Sequence, residues 1–324
     1  MLKYGMYAKA VELLCFKQAL ARLAQIYPDM DMKRYKRSVK REYKEMLLRT
    51  PDIGGSSLEI FAKKGYSVLA MTYYGAPGLP DTMRAIPLEM FQTAIDRMKE
   101  YGSGKYRRFG IYGNSKGAGM ALLAASVVPD ISLVIAASTF GHIMQGSGKA
   151  DLDPCKAMVS YRGNDFPYVS NAHMFSNFLK RCIKEHHMRV LYFFEEWEKN
   201  GTIENEIPVE KICGDILFLT STHDESVPSK HDSELLMERL KRENFTHGYR
   251  HINSETGSHN LGYFPVNNGA LPREKKFPQE CQKAREDMLE IILKTLSSWS
   301  VALLLYLSLH FRLYQYNSSD HSVS

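Results

Sequence analysis

The chain is poor in cysteine, and this scarcity excludes two classes of small stabilised fold. Its 324 residues contain five cysteines, an odd number. None of them forms a C-x-x-C pair, which argues against a disulfide framework and a zinc site and favours a reducing compartment. The five are Cys15, Cys155, Cys182, Cys213 and Cys281.

Long apolar runs are also missing, and neither end reads as a targeting or membrane segment. Residues 1–27 are amphipathic and lack the apolar core and cleavage site of a signal peptide. Residues 291–311 are largely apolar, but Lys294 and several serines interrupt them, whereas a spanning helix needs about 20 apolar residues. We therefore expect a cytoplasmic protein without membrane contact. Residues 300–324 are predicted to form an apolar, then polar, tail that packs on the body or on another chain, a tail anchor being the alternative.

The net charge of +6 is concentrated near the N-terminus. Such a basic stretch is typical of a solvated helix face, and it could also meet an anionic membrane or the phosphates of a ligand. Only Tyr35 and Tyr43 interleave with it, so an aromatic platform for bases is missing and we expect no nucleic-acid partner. We interpret residues 1–50 as a helical basic extension. The clustered residues are Lys33, Arg34, Lys36, Arg37, Lys40, Arg41 and Lys44.

Strand and helix patterns alternate from Leu58 onward. This alternation predicts an α/β fold with a doubly wound, mostly parallel sheet. A chain of this length holds one large domain with a buried core, here residues 51–299. Predicted strands span 66–72, 108–112, 131–137, 216–220 and 249–252, and predicted helices span 58–64, 88–101, 118–125 and 229–243.

The sequence GNSKG at 113–117 lies between a predicted strand and a predicted helix. This is the setting of a nucleophile elbow, a turn sharp enough to present one hydroxyl above the sheet. Gly113 and Gly117 have no Cβ, so strand and helix can approach each other beside Ser115. An ordinary Gly-rich turn is the alternative, but the setting favours Ser115 as a nucleophile.

A serine nucleophile needs a base and an acid that orients the base. In this architecture both follow later in the chain, each after a strand. Asp224 follows the predicted strand 216–220, and His259 lies in the polar turn ETGSHN after 249–252. The order of strand ends favours Ser115, Asp224 and His259 as a catalytic triad. The rivals are Glu225 and Asp215 for the acid and His223, His247 and His251 for the base.

Two backbone N–H groups are needed to bind the charge that develops on an attacked carbonyl. Lys116, the residue after the nucleophile, is predicted to supply one. Tyr74, in the loop after strand 66–72, is the candidate for the other, and aromatic packing in a Gly/Pro turn is the alternative. This chemistry requires no metal and no bound cofactor.

Several segments together resemble one family. The chain is similar over 53–299 to the C-terminal catalytic domain shared by acyl-CoA thioesterases and bile acid-CoA:amino acid N-acyltransferase, within the α/β-hydrolase superfamily. Too little sequence precedes the elbow to hold the N-terminal β-sandwich domain of the thioesterases, so single-domain bacterial members resemble it better. The segments are YYG through LP at 73–80, IPLE at 86–89, GNSKGA at 113–118, YRG at 161–163, FPY at 166–168 and ETGSH at 255–259.

The resemblance implies an α/β-hydrolase fold, a triad at Ser115, Asp224 and His259, and a thioester or ester substrate, including coenzyme A esters. A serine nucleophile resembles the hydrolytic branch, because members with cysteine there favour acyl transfer to an amine. The aromatic, Met-rich segment 141–209 resembles a cap, although ordinary packing of a small core explains its composition equally well. The chain departs from the family before Gly54, where residues 46–48 offer only a stub of the usual strand.

The sequence thus predicts a serine hydrolase that cleaves acyl thioesters or esters through an acyl-enzyme. The expected partner is a small-molecule substrate. Alternatives are an acyltransferase to an amine or alcohol, a carboxylester hydrolase similar to dienelactone hydrolase, and an inactive binding protein. Neither the acyl chain length nor the oligomeric state can be inferred from the sequence.

Overall fold

The computed structural model describes most of the chain from residue 60 onward. For 303–307 and 312–314 we use the backbone alone. The basic extension 1–50, the strand stub 46–48 and the loop residues 75–78 lie outside the described residues. These are 60–61, 64, 66–71, 73–74, 79–80, 82–102, 106–146, 156–171, 174–186, 189–262, 271–299, 303–307 and 312–314.

The described residues alternate between strands and helices, as predicted. The strands are β1 (Ser67–Met71), β2 (Ile86–Pro87), β3 (Phe109–Asn114), β4 (Ile131–Ala137), β5 (Val159–Tyr161), β6 (Asn164–Asp165), β7 (Asp215–Ser221), β8 (Tyr249–Ser254), β9 (Leu303–Leu307) and β10 (Arg312–Tyr314). The helices are α1 (Glu89–Tyr101), α2 (Lys116–Ala125), α3 (Met174–Lys184), α4 (Val190–Glu198), α5 (Ser229–Arg242), α6 (Pro272–Lys276) and α7 (Pro278–Trp299).

Seven strands form the central sheet in the order β10-β1-β9-β3-β4-β7-β8. All neighbouring pairs are parallel except β10 with β1. A small second sheet joins β2, β5 and β6. The predicted α/β class with a mostly parallel sheet is confirmed, and the predicted strand 131–137 has the bounds that the structure gives to β4.

Strands β3 and β4 read FGIYGN and ISLVIAA, and nearly every residue in them is buried. Runs that are apolar at successive positions suit a parallel sheet with helices on both faces, because both sets of side chains must be covered. Ile111 faces the core that includes helix α2, whereas Tyr112 faces the core that includes α7. The central strands are therefore enclosed on both sides.

The end of the chain contributes to this sheet. Strand β9 lies parallel between β1 and β3, and β10 pairs antiparallel with β1. We predicted residues 300–324 as a tail outside the catalytic domain, and the structure pairs 303–307 and 312–314 with the sheet instead. The position beside the elbow strand is thus held by a late segment, whereas the sequence indicated only a stub ahead of Gly54.

The segment predicted as a cap, 141–209, contains β5, β6, α3, α4 and two short 3₁₀ helices, Ile203–Asn205 and Val209–Lys211. It separates β4 from β7. The carboxyl ends of β3, β4, β7 and β8 meet at one edge of the sheet, because these strands are parallel neighbours. Ligand sites of open α/β sheets form at this edge.

Candidate active site

The turn between β3 and α2 has the geometry of an elbow. Ser115 adopts φ 56° and ψ −122°, a combination that an L-residue rarely takes and that stores backbone strain. A Cβ on Gly113 would lie 2.1 Å from the carbonyl oxygen of Gly117. Glycine at 113 therefore lets the strand and the helix approach each other closely enough to make the turn.

Helix α2 begins at Lys116, directly after the strained serine. The first N–H groups of a helix have no acceptor within the helix, and the helix dipole adds partial positive charge there. The backbone N–H of Lys116 is thus in a suitable position to bind an anion next to Ser115.

Asp224 and His259 lie in direct contact. His259 Nδ1 is 2.9 Å from both Oδ1 and Oδ2 of Asp224, and both residues are buried. Oδ1 also accepts hydrogen bonds from the backbone N–H groups of Ser226 and Val227, and Oδ2 accepts one from Ser229 Oγ at 2.7 Å. These donors suit an ionised carboxylate, which can then orient the imidazole ring.

The loop that carries His259 is tied to the strand that carries Ser115. The N–H of Gly262 donates to Asn114 Oδ1 at 3.1 Å, and the hydroxyl of Tyr112 donates to the Gly262 carbonyl. Asn114 directly precedes Ser115. The two loops are therefore joined within a few residues of both functional side chains.

A second tie runs through the end of β4. The N–H of Ser115 donates to the carbonyl of Ala137 at 2.8 Å. The next residue, Ser138, donates its hydroxyl to the carbonyl of His259 at 2.8 Å. Ser115 Oγ makes no hydrogen bond to any described residue, and such bonds often tighten only once substrate is bound.

The rival acids occupy structural roles elsewhere. Glu225 accepts a hydrogen bond from the N–H of Arg273, and Asp215 accepts one from the N–H of Gly248. Asp224 alone of the three contacts a histidine ring in the described residues.

None of the rival histidines makes a hydrogen bond to Asp224 among the described residues. His251 Nε2 is 2.7 Å from Thr220 Oγ1, and burial lowers the pKa of this imidazole. His247 packs against Phe245, and His223 is exposed. From the sequence, His259 was preferred only for its position in the chain order. In the structure, it is distinguished by its contact with Asp224.

Tyr74 follows strand β1 and is half-buried. Its ring packs against the ring of Tyr73, with centroids 5.5 Å apart. The adjoining loop residues 75–78 lie outside the described residues. Tyr74 as an oxyanion donor therefore stays a prediction.

A buried acidic cluster next to Asp224 was not anticipated from the sequence. Asp232 on α5 is fully buried, and neither of its oxygens accepts a well-formed hydrogen bond from a described residue. Burial and the neighbouring Glu198 hold the pKa of Asp232 well above its ordinary range, with Asp224 adding a smaller effect. A carboxyl group this close to another acid is harder to ionise, because the two negative charges would repel each other. The sequence around Asp232 gives no sign of this environment, because the neighbouring acid Glu198 comes from a different helix, α4.

Glu198 also contacts the start of the predicted cap. His142 Nδ1 lies 2.7 Å from Glu198 Oε2, and both side chains are nearly buried. Glu198 ends helix α4, whereas His142 follows β4. Through Glu198, helix α4 thus contacts both His142, which follows β4, and Asp232, on helix α5.

The aromatic residues of segment 141–209 pack against one another. Phe178 contacts Phe193, Phe193 contacts Phe194, and the series continues through Trp197 to Phe140. Phe140 lies against Gly119 of α2, where a Cβ would come within 2.2 Å of the ring. These contacts form a continuous series of packed rings, and the cap stays a prediction.

The described part of the chain offers neither a metal site nor a membrane-spanning helix. No three histidine, cysteine or acidic side chains there form a cluster suited to a metal ion. No described helix combines the length and the apolarity needed to cross a membrane.

Comparison with known proteins gives relatives of two activities. The chain is 26% identical over 227 residues to acyl-coenzyme A thioesterase 1 of Homo sapiens, covering 67% of this chain and 49% of that protein. It is 25% identical over 183 residues to acyl-coenzyme A amino acid N-acyltransferase 1 of Mus musculus, covering 56% and 39%. The chain therefore spans about half or less of the length of these relatives.

Among solved structures, an esterase from Pyrococcus furiosus is similar to this chain at 14% identity and a TM-score of 0.33. The similarity covers 64% of this chain and 61% of the esterase. This likeness is too low to indicate function.

The family described as BAAT / Acyl-CoA thioester hydrolase C terminal matches residues 86–275. The match covers more than half of the 324 residues and includes Ser115, Asp224 and His259. The resemblance and the α/β-hydrolase fold expected from the sequence are both confirmed. The chain belongs to the BAAT / acyl-CoA thioester hydrolase C-terminal family.

Proposed function

We propose that this protein is a serine hydrolase that cleaves acyl thioesters or esters of the acyl-CoA kind. The observation that carries the proposal is the buried contact between His259 and Asp224, at 2.9 Å, in a loop that is hydrogen-bonded to the strand of the strained serine elbow. The family assignment supports the substrate class, because the family name and the relatives' names refer to acyl-CoA thioesters.

In the proposed mechanism, Ser115 Oγ attacks the acyl carbonyl carbon while His259 Nε2 takes the hydroxyl proton. Asp224 holds the ring with Nδ1–H toward its carboxylate and stabilises the imidazolium. The tetrahedral intermediate collapses, the C–S or C–O bond breaks, and the imidazolium gives its proton to the leaving group. Water then attacks the acyl-enzyme, with His259 again as base, and releases the acid.

The oxyanion of each tetrahedral intermediate is proposed to bind the backbone N–H groups of Lys116 and Tyr74. The support for Lys116 is its position at the start of helix α2. Removing one such donor typically lowers kcat by about 10²- to 10³-fold.

The proposal is tested first at the nucleophile. Ser115→Ala removes one oxygen that makes no hydrogen bond to a described residue, so the fold should be kept. We expect turnover of an acyl-CoA thioester to fall by about four to six orders of magnitude. Ser298→Ala is the matched control, because Ser298 is an exposed serine that bonds only to its own helix.

Labelling by a fluorophosphonate probe separates the enzyme from an inactive binding protein. The native chain should be labelled, and Ser115→Ala should not. An unlabelled native chain, or activity of Ser115→Ala within about tenfold of native, a barrier change near 1.4 kcal/mol, contradicts the proposal.

Acyl transfer is the second candidate function, favoured by the similarity to an amino acid N-acyltransferase. Product analysis with and without an amine acceptor distinguishes the two. Free acid as the product in both reactions supports the hydrolase, whereas an amide formed only with the acceptor supports the transferase.

A further inference from the structure

The two residues on either side of His259 bond to one buried carboxylate. Ser258 Oγ donates to Glu274 Oε1 at 2.8 Å, and Asn260 Nδ2 donates to the same oxygen at 2.9 Å. Glu274 lies on α6 and is fully buried. A single side chain from a separate helix therefore contacts the loop immediately before and immediately after the histidine.

The charge of Glu274 is balanced from helix α7. Arg285 Nη1 lies 3.3 Å from Glu274 Oε1, and the two side chains are 2% and 0% exposed. The second oxygen, Oε2, accepts from the N–H of Leu271 at 3.3 Å. An uncompensated buried carboxylate would be costly, so the ion pair and the donors together keep Glu274 in place as an acceptor.

The same short helix holds the start of the loop. Arg273, next to Glu274, donates from Nε to the carbonyls of Gly257 at 2.9 Å and Thr256 at 3.2 Å. Residues 256–260 are thus attached to α6 through both their carbonyls and their side chains. The His259 backbone is held from the opposite side by Ser138.

We propose that Glu274 is a positioning residue for His259, which it holds in register with Asp224 and Ser115 through Ser258 and Asn260. The inference rests on the proposed function. Glu274 does not meet the substrate and acts only through the loop. A displacement of a catalytic group by about 1 Å can lower the rate about 100-fold, so the loss of this anchor should be visible in turnover.

The first test removes the acceptor. Glu274→Ala is expected to lower kcat by about 10- to 100-fold and to leave KM within about twofold, because the substrate site is not contacted. Glu274→Gln keeps an oxygen that can accept from Ser258 and Asn260, and should restore part of kcat. The matched control is Glu290→Gln, which breaks an exposed ion pair with Lys294 on α7 and should leave kcat unchanged.

A second variant covers the case in which Glu274→Ala fails to fold, since Arg285 would be left buried without its counter-charge. The double variant Ser258→Ala, Asn260→Ala leaves the Glu274–Arg285 pair intact. It should lower the thermal midpoint, because two hydrogen bonds to a buried carboxylate are lost, while the native state stays folded. We expect the same loss of kcat from it as from Glu274→Ala, and little further loss when the changes are combined, because the groups act as a unit.

The third readout follows the histidine itself. The proton between His259 Nδ1 and Asp224 should give a downfield NMR resonance in the native chain. It should shift or broaden in the double variant and persist in Glu290→Gln. This signal does not depend on turnover, so it judges the positioning role even if the hydrolase proposal fails.

A folded double variant with native kcat and an unchanged resonance would overturn the role of Glu274 while leaving the hydrolase proposal intact. Activity that survives Ser115→Ala would instead refute the hydrolase proposal, and the resonance alone would then decide the positioning role. A resonance lost together with kcat in the double variant supports both.

Discussion

Asp224 and Asp232 are two buried aspartates of one short stretch, and their surroundings give them opposite character. Asp224 receives Nδ1 of His259, two backbone N–H groups and the Ser229 hydroxyl. Asp232 receives no well-formed hydrogen bond from a described residue and faces the carboxyl of Glu198. Donors stabilise a charged carboxylate, whereas burial without donors favours the neutral acid.

The comparison teaches that burial alone does not identify a catalytic acid. Both side chains are almost inaccessible, at 7% and 0% exposure. What differs is the number of donors that the fold brings to each oxygen. A charged acid can orient a histidine, and a neutral one beside it adds no competing charge.

The largest expected effect comes from comparing two single variants, Asp224→Asn and Asp232→Asn. Asp224→Asn removes the charge that stabilises the imidazolium and lets the ring adopt the wrong tautomer. We expect kcat to fall by about 10³- to 10⁴-fold. Asp232→Asn should stay within about threefold of native, since burial and Glu198 already disfavour the charged form of this carboxyl. Turnover of an acyl thioester measures both, and equal losses at the two positions would remove the distinction.

The pH dependence of stability sharpens the comparison further. The pKa of Asp232 is raised on folding, so above its unfolded value of about 3.9 the native state keeps a proton that the unfolded state releases. The stability from this group is therefore complete below that value and is lost as pH rises toward the folded pKa, at roughly 1 kcal/mol per pH unit.

Asp232→Asn removes this dependence. The unfolding free energy of the variant relative to native should therefore rise as the pH increases above about 4, the ordinary pKa of an aspartate. Urea unfolding at several pH values measures it. The groups that face Asp232 are Glu198 from α4, Asp224 from the loop between β7 and α5, and the N–H of Gly141. His142 contacts the far side of Glu198. Parallel curves for native and variant would show that Asp232 is ionised in the folded state.

A smaller effect is expected from one donor to Asp224, the proposed catalytic acid. Ser229→Ala removes the hydroxyl that bonds to Asp224 Oδ2 and should lower the unfolding free energy by about 1–2 kcal/mol. We expect kcat to fall several-fold in the same variant. Ser233→Ala is the control on the same helix, because Ser233 is equally buried and its hydroxyl has no partner among the described residues. If Ser233→Ala costs as much stability as Ser229→Ala, the hydrogen bond is not the cause.

The smallest effect is expected at Glu198, the acid that lies next to Asp232. Glu198→Gln keeps the volume and an acceptor for His142 while removing the acid that disfavours ionisation of Asp232. The unfolding free energy at neutral pH should change by less than about 1 kcal/mol. In combination with Asp232→Asn the changes should not add, because the two side chains are in contact. Simple additivity in a thermal or urea experiment would show that the two carboxyl groups do not influence each other.

Local pattern predicted much of the fold and the main members of the candidate site. The runs at 108–112, 131–137 and 216–220 are apolar enough to indicate buried strands without further context. The glycines at 113 and 117 mark a turn that few other residues allow. Asp224 and His259 could be named because they follow strands in the order that this architecture requires, yet Glu225 and three other histidines stayed open.

The rest depended on partners far away in the chain. The apolar residues 303–307 pack beside β3, and nothing local distinguishes that strand from an apolar tail, since its hydrogen-bond partners lie about 200 residues earlier. The roles of Ser229, Ser138 and Glu274 are likewise set by single contacts that leave no periodic mark. Side chains whose role depends on a single tertiary contact cannot be identified from the spacing of residues in the sequence.

The sequence by itself determined the alternating strands and helices and the strained turn at Ser115, because backbone preference and apolar periodicity act between near neighbours. Tertiary structure alone decided which carboxylate meets His259 and which buried acid stays neutral. The physical reason is that a side chain's charge depends on the donors and the burial around it, and both come from segments that meet only when the sheet is assembled.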